Sequence, residues 1–383
     1  MNRAVLRAVL CLALLAEVAP AAGQQAAPPL APASPADKAM LEAAGLAKAG
    51  KFAAAVEKLE AARRKSPLPP HGLSLLGTLY MQLQRPKEAL AILRPMAEAA
   101  DAEPAVLYNA GLAALALGEK NAALGWFARS VAKDPATPAA RELGLLLARQ
   151  GRVVEAYALL RPWSLRNAAD GEALLTAAAL ALQLERPAEA DQLIAGMSGQ
   201  DPAIQLMHAK ILVQKGDGPA AAALLAPLLT RHPPGMEMEV RRTLAEAYLL
   251  AGQAPKAIEL LKGGVAGRPA VALVLARAQH KAGDTLGALA TLRPFADKLP
   301  ADPKGLGDPR PAAGIALEYG RALADAGRAP EALSFFDKAT RLQPTNRAAW
   351  QELSRALAAA GRTAEAQRAA AKAAELEGAK NPG

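Results

Sequence analysis

The amino-acid sequence predicts an all-α protein, an α-solenoid (superhelix) of about ten stacked helix-turn-helix units. Three observations predict it. Apolar residues make up 52% of the chain but aromatics only 3%, so the apolar weight lies in Ala and Leu, both strong helix formers. Ten segments then follow one plan, starting at Ala36, Pro70, Pro104, Thr137, Gly171, Pro202, Met238, Pro269, Ala313 and Arg347, with steps of 31 to 36 residues and a single step of 44. Finally, the same places in each segment carry side chains of the same size. Position eight is always small (Ala43, Gly77, Gly111, Gly144, Ala178, Ala209, Ala245, Ala276, Gly320, Ser354), and position twenty is alanine throughout, from Ala55 and Ala89 to Ala332 and Ala366. Position twenty-four is large and apolar (Leu59, Leu93, Phe127, Leu160, Ile194, Leu225, Leu261, Leu292, Phe336) until Ala370. Small residues at the crossing and large ones beside it make an interlocking helix pair.

In chain order, residues 1–23 read as an export signal. Arg3 and Arg7 give a basic start, Ala8 to Ala16 an apolar run, and small residues follow from Ala19 to Gly23, with cleavage expected after Ala21 or Gly23. That run is far shorter than the ~20 residues that span a bilayer. Cys11, the only cysteine, leaves with the signal, and Leu10 before it is unlike the small residue of a lipoprotein signal, so no disulfide or thiolate metal site is expected. Residues 24–35, rich in Ala, Pro and Gln, form a linker.

Units one to eight occupy 36–300. Gly50, Gly118, Gly151, Gly216, Gly252, Gly283, Gly327 and Gly361 recur at position fifteen, where a left-handed cap would end the first helix of each unit. Pro67, Pro135, Pro202, Pro233, Pro269, Pro300 and Pro344 mark the close of second helices. Pro95, Pro162, Pro227 and Pro294 fall at position twenty-six, inside the second helix, so those four helices are expected to be kinked or short. Residues 301–312, ADPKGLGDPRPA, supply the long step and predict a surface loop or a hinge. Units nine and ten occupy 313–379 and would then form a separately orientable pair. The last helix is rich in Ala, Lys and Glu, as a solvated end cap should be, and 380–383 is a tail.

The period near 34, the position-eight, -twenty and -twenty-four residues and the turn glycines resemble the tetratricopeptide repeat family from Ala36 to about Ala379. The resemblance implies that first helices line a concave groove, with ligand met by positions two, five, nine, twelve and thirteen. It also implies a role in holding a protein or peptide.

Motifs for catalysis are weak. Gly45 to Phe52 has the glycine and lysine spacing of a phosphate loop, but Phe52 stands where Ser or Thr would hold the metal, in a helical context. His71, His208, His232 and His280 show no paired-ligand spacing, and no GxSxG elbow occurs. No catalytic residue, metal or cofactor is expected, and the chain is read as a non-enzyme. The formal charge of +9 favours acidic partners, while dispersed Lys and Arg speak against a nucleic-acid tail.

On the implied groove stripe, Lys210, Arg242, Arg277, Lys281, Arg321 and Arg355 are expected to form a basic ladder for carboxylates or a polyanion, against Glu239, Glu246 and Asp325. Tyr108, Leu112 and Leu175, with Leu115, Leu182 and Leu206, are expected as exposed apolar side chains, either peptide anchors or contacts with another turn of the array. Asn109 sits where relatives hold a peptide backbone or terminal carboxylate; Ser74 and Thr78 break the two-carboxylate clamp of that family. The leading expectation is an exported, periplasmic scaffold that grips a protein or peptide partner, an acidic one being favoured by the basic charge, in assembly of an envelope or secretion complex, peripheral to membrane complexes at most. The alternative is a periplasmic scaffold of an exopolysaccharide export machine, contacting an anionic polysaccharide.

Overall fold

The computed structural model describes residues 34–304, 306 and 308–378. The expected signal segment, nearly all of the expected linker and the tail lie outside the described residues.

Among the described residues the chain forms twenty α-helices and no strand, an α-solenoid of ten helix pairs. In chain order the pairs are α1 (Pro35–Lys48) with α2 (Phe52–Lys65), α3 (Pro70–Gln82) with α4 (Pro86–Glu98), and α5 (Pro104–Ala116) with α6 (Lys120–Lys133). Then come α7 (Ala139–Arg149) with α8 (Val153–Arg166), α9 (Gly171–Gln183) with α10 (Pro187–Ile194), α11 (Pro202–Lys215) with α12 (Gly218–Leu225), and α13 (Glu237–Leu250) with α14 (Ala254–Leu261). The last are α15 (Pro269–Lys281) with α16 (Thr285–Ala296), α17 (Arg310–Asp325) with α18 (Ala329–Leu342), and α19 (Arg347–Ala359) with α20 (Thr363–Gly378). Among the described residues the helices divide into two compact units, one running to Leu146 and including Ala158–Trp163, the other Leu147–Tyr157 with the residues from Ser164 onward.

The ten-unit register is visible in the backbone. Each first helix ends with an i→i−5 bond across its turn, from Lys51 N–H to the Leu46 carbonyl through to Arg362 N–H to the Leu357 carbonyl, at 2.8–3.0 Å in all ten. That cap requires a left-handed residue in front of the donor. Eight units use glycine there, as expected; Gln84 (φ 57°) and Glu185 (φ 59°) take the same conformation with a side chain. An L-residue in this region is strained by roughly 1–2 kcal/mol, partly offset by the greater entropy glycine loses on folding. Gln84→Gly is therefore expected to raise stability by about 0.5–1 kcal/mol in a thermal melt. A lower melting temperature would show that the Gln84 side chain contributes more than its strain costs.

The interlock expected between positions eight and twenty-four is present. A methyl added at Gly77 would come within 2.6 Å of Leu93, at Gly111 within 2.4 Å of Phe127, at Gly144 within 2.6 Å of Leu160, and at Gly320 within 2.8 Å of Phe336. The nine large position-twenty-four residues are all buried, and Ala370 is exposed.

The prolines behave differently from expectation. Pro95, Pro162 and Pro294 lie inside α4, α8 and α16, close to their ends, where little helix remains to be redirected. Only Pro227 coincides with a short helix: α12 stops at Leu225 and a 3-10 turn, Ala226–Leu229, contains the proline. α10 and α14 are equally short although position twenty-six holds glycine there, Gly196 and Gly263, and not proline. Pro202 and Pro269 open α11 and α15 rather than closing the helices before them, a place where the missing N–H is no loss. The linker yields to helix slightly early, since Ser34 and Asp37 form a reciprocal capping box for α1.

The hinge before unit nine is not found. One core runs from Leu273 and Ala276 of α15 and Leu292 of α16 through Ile315 and Tyr319 of α17 to Phe336 of α18 and Leu353 of α19. Leu299 and Leu306, from the insertion and the residues before it, pack against that core. At Gly314 an added methyl would meet Leu273 at 2.8 Å, so α17 lies as close to α15 as ridge-into-groove packing permits. Units eight and nine therefore share one buried apolar core across the insertion.

Candidate functional site

The chemistry-bearing side chains gather on the first helices of units eight to ten. Arg277 and His280 stand on α15, Glu318, Arg321 and Asp325 on α17, and Glu352 and Arg355 on α19. The helical spacing of three and four residues sets Glu318 beside Arg321, and Glu352 beside Arg355. Stacking of successive units then brings position nine of one unit against position six of the next. Arg277 Nε lies 3.8 Å from Glu318, and Arg321 Nε donates to Glu352 at 3.1 Å. Within their helices Arg321 reaches Glu318 at 3.6 Å and Arg355 reaches Glu352 at 3.2 Å. The Glu318 side chain is only 6% exposed, so its charge is held by neighbours rather than by water.

His280 completes the cluster. Its Nδ1 lies 2.7 Å from Glu318 and its Nε2 2.5 Å from Asp325. Burial pulls the imidazole pKa down, but the hydrogen bonds to Asp325 and Glu318 outweigh it and hold the group above its ordinary 6.5. The charged ring thus ties α15 to α17.

Next to this network, between α17, α18 and α19, is an open cavity of ≈ 660 Å³. Its apolar wall includes Leu333, Phe336 and Ala356, while Arg321, Asp325, Glu352 and Arg355 line its mouth with both signs of charge.

The expected basic ladder is therefore internally paired. Lys210 bonds Glu239, Arg242 bonds Glu246 at 2.5 Å, and Lys281 donates to the Leu249 carbonyl near the end of α13 at 3.4 Å. Arg277, Arg321 and Arg355 share Glu318 and Glu352 as described. Arg355 and Lys281 are exposed, while Arg277 is half-buried with 43% of its side-chain surface open to water.

The apolar anchors also differ from expectation. Tyr108 is buried, its ring 6.1 Å from that of Phe127, and Leu206 is buried as well. Leu112, Leu115, Leu175 and Leu182 are half-buried. Asn109 donates to Thr78 at 3.0 Å, again position six to position nine of the preceding unit, so its amide is engaged between units rather than held free. Tyr108, Leu112 and Asn109 lie in the first compact unit, whereas Leu175 and the charged residues lie in the second.

Sequence reasoning missed His280, Glu318 and Glu352 as site residues. Glu318 and Glu352 could have been found: they occupy position six, the place of Asn109, one helical turn before the arginines that were singled out. Gly45, of the phosphate-loop lookalike, lies within α1, so a helix and not a strand precedes Lys51. No three His, Cys, Asp or Glu side chains converge as a metal site among the described residues, and none of their helices is long and apolar enough to cross a membrane.

Comparison with known proteins bears on the fold. No curated protein is similar enough to this chain to count as a match. Among solved structures, the chain is similar to MamA (22% identity, 45% of this chain and 95% of that one, TM-score 0.35). It is also similar to human IFIT1 dimer with PPP-AAAA (17% identity, 88% and 89%, TM-score 0.47), and to Cut9 in the APC/C hetero-tetramer Cut9-Hcn1 (13% identity, 88% and 79%, TM-score 0.44). Models of the tetratricopeptide repeat match residues 46–108, 138–162, 206–272 and 273–347. With ten helix pairs closed by the same left-handed turn and locked by the same small-to-large contact, the chain belongs to the tetratricopeptide repeat family.

Proposed function

We propose that this protein is an exported scaffold that grips an extended segment of a protein partner on the first helices of units eight to ten, in the assembly of an envelope or secretion complex. A scaffold for protein interaction is what tetratricopeptide arrays generally provide. The observation that carries the finer reading is the cavity beside the charge network. Its apolar wall suits a hydrophobic side chain, and its mouth of paired arginines and carboxylates suits flanking charges of both signs. A polypeptide offers that mixture. A uniform anionic polysaccharide would meet Glu318, Glu352 and Asp325 along with the arginines, so the protein reading ranks first.

The test is selection of peptides from a displayed library by the full chain, repeated with Ala356→Trp, which fills the cavity. Peptides with one apolar anchor and charges of both signs are expected, their affinity falling at least tenfold on the filled variant. Saturable binding of an anionic polymer, with no peptide selected, would replace this reading with the polysaccharide one. Export rests on residues 1–23 and has its own test. Protein recovered from the cell envelope is expected to begin at Ala22 or Gln24; a chain that keeps Met1 in the cytoplasm excludes export.

A further inference from the structure

The longest-range side-chain bond described for the molecule joins unit five to the insertion before unit nine. Arg310, the first residue of α17, donates from a terminal guanidinium nitrogen to the Gln183 carbonyl at 2.6 Å, across 127 residues. Both residues lie within the second compact unit.

The contact is built from both sides. Asp308 holds the guanidinium in a two-pronged grip, accepting at 2.8 and 2.7 Å, and also takes the Arg310 backbone N–H at 3.0 Å. This fixes a side chain that would otherwise sample many rotamers and aims its remaining donor outward. Burial pushes the Asp308 carboxyl up, but the bonds from Arg310 more than offset this and hold it below the ordinary carboxylate range. Opposite, Gln183 is the last residue of α9, whose final carbonyls have no intrahelical N–H and form the negative end of the helix dipole. Glu185 follows in the left-handed turn and attracts the same guanidinium. Eight of the ten turns place glycine there; unit five bears the strain of a side chain where a carboxylate faces Arg310.

The insertion is well placed to act as an arm. Leu306 anchors it to the core of units eight and nine, and Asp308 and Arg310 project from its far end. A cavity of ≈ 420 Å³ lies at the contact, lined also by Val153 at the start of α8 and by Pro344 and Thr345 in the turn between α18 and α19. The start of α8 and the end of α9 thus meet the insertion and the turn after α18. The Arg310 side chain is 33% exposed, so the bond is partly shielded from water yet reachable by ions.

We propose that Asp308 and Arg310 form a releasable latch on the unit-five turn, which closes units five to nine into a ring and sets the curvature of the face that carries the charge ladder. Release lets the intervening units straighten and separates the two sides of the contact. The proposal requires no particular partner.

Spin labels at Val154→Cys and Thr345→Cys, in the full chain with Cys11→Ser, report the distance across the contact by pulsed electron resonance. The latched chain is expected to give a single short distance. Arg310→Ala is expected to lengthen it by about 5 Å or more, the scale of one helical turn. Raising salt to about 1 M, where screening extends only ~3 Å, is expected to do the same without any substitution at the latch. An unchanged distance in both arms would overturn the latch and leave the Arg310 bond incidental. Should Arg310→Ala fail to fold, the salt arm decides alone.

Discussion

Replacing Phe127 with alanine is expected to lower stability by about 3–5 kcal/mol, the cost of emptying a fully enclosed aromatic site. Phe127 is 0% exposed and lies against Gly111, whose added methyl would fall 2.4 Å from its ring, and against Tyr108. The converse change tests the same contact from the other side. Gly111→Ala improves helix propensity by about 1 kcal/mol, yet the overpacking it causes costs about 1–3 kcal/mol, so a net loss is expected. In the double variant Gly111→Ala/Phe127→Leu the smaller side chain makes room for the methyl, and the two effects should couple by at least 0.5 kcal/mol. Urea unfolding measures the total. Hydrogen exchange places it, because a repeat array can open locally and the loss should concentrate in α5 and α6. Strictly additive effects would mean that these two positions do not pack as described.

Glu318→Gln is expected to cost about 1.5–3 kcal/mol, the range for hydrogen bonds to a charged group, while preserving shape. Its cationic partners Arg277 and Arg321 keep access to water, which limits the penalty of leaving them short of a carboxylate. His280 gives the second readout. Its folded pKa lies above the unfolded 6.5, so its bridge between α15 and α17 contributes fully below about pH 6.5 and is lost as pH rises through the elevated value. Stability of the wild-type chain should decline over that window, and the slope should flatten in Glu318→Gln. An NMR titration of the His280 ring checks the cause directly: its midpoint should fall in the variant. A midpoint that does not move would show that Asp325 alone holds the charged ring.

Architecture was largely legible because it depends on local rules. The left-handed turn calls for glycine, the crossing calls for a small residue at position eight and a large one at position twenty-four, and both recur at intervals short enough to read off the chain. Gln84 and Glu185 show where that reading runs out, since the cap geometry was met there with the strain retained. The site was legible only by halves. Arg277, Arg321 and Arg355 were found as charges on one stripe, but their net effect depends on Glu318 and Glu352, which only inter-unit packing brings within ion-pair distance. Tyr108 shared that stripe by position and yet lies buried, because exposure depends on what the neighbouring units cover.

By itself, then, the sequence determined the all-α class, the ten-unit register and the small-to-large lock, all consequences of contacts within about one repeat of each other. Tertiary structure alone decided that the arginines of the basic ladder share Glu318 and Glu352, that units eight and nine share one core, and that Arg310 reaches Gln183. Each of these is a meeting of side chains from different units. Their approach is set by how successive units pack on one another, which no single segment encodes.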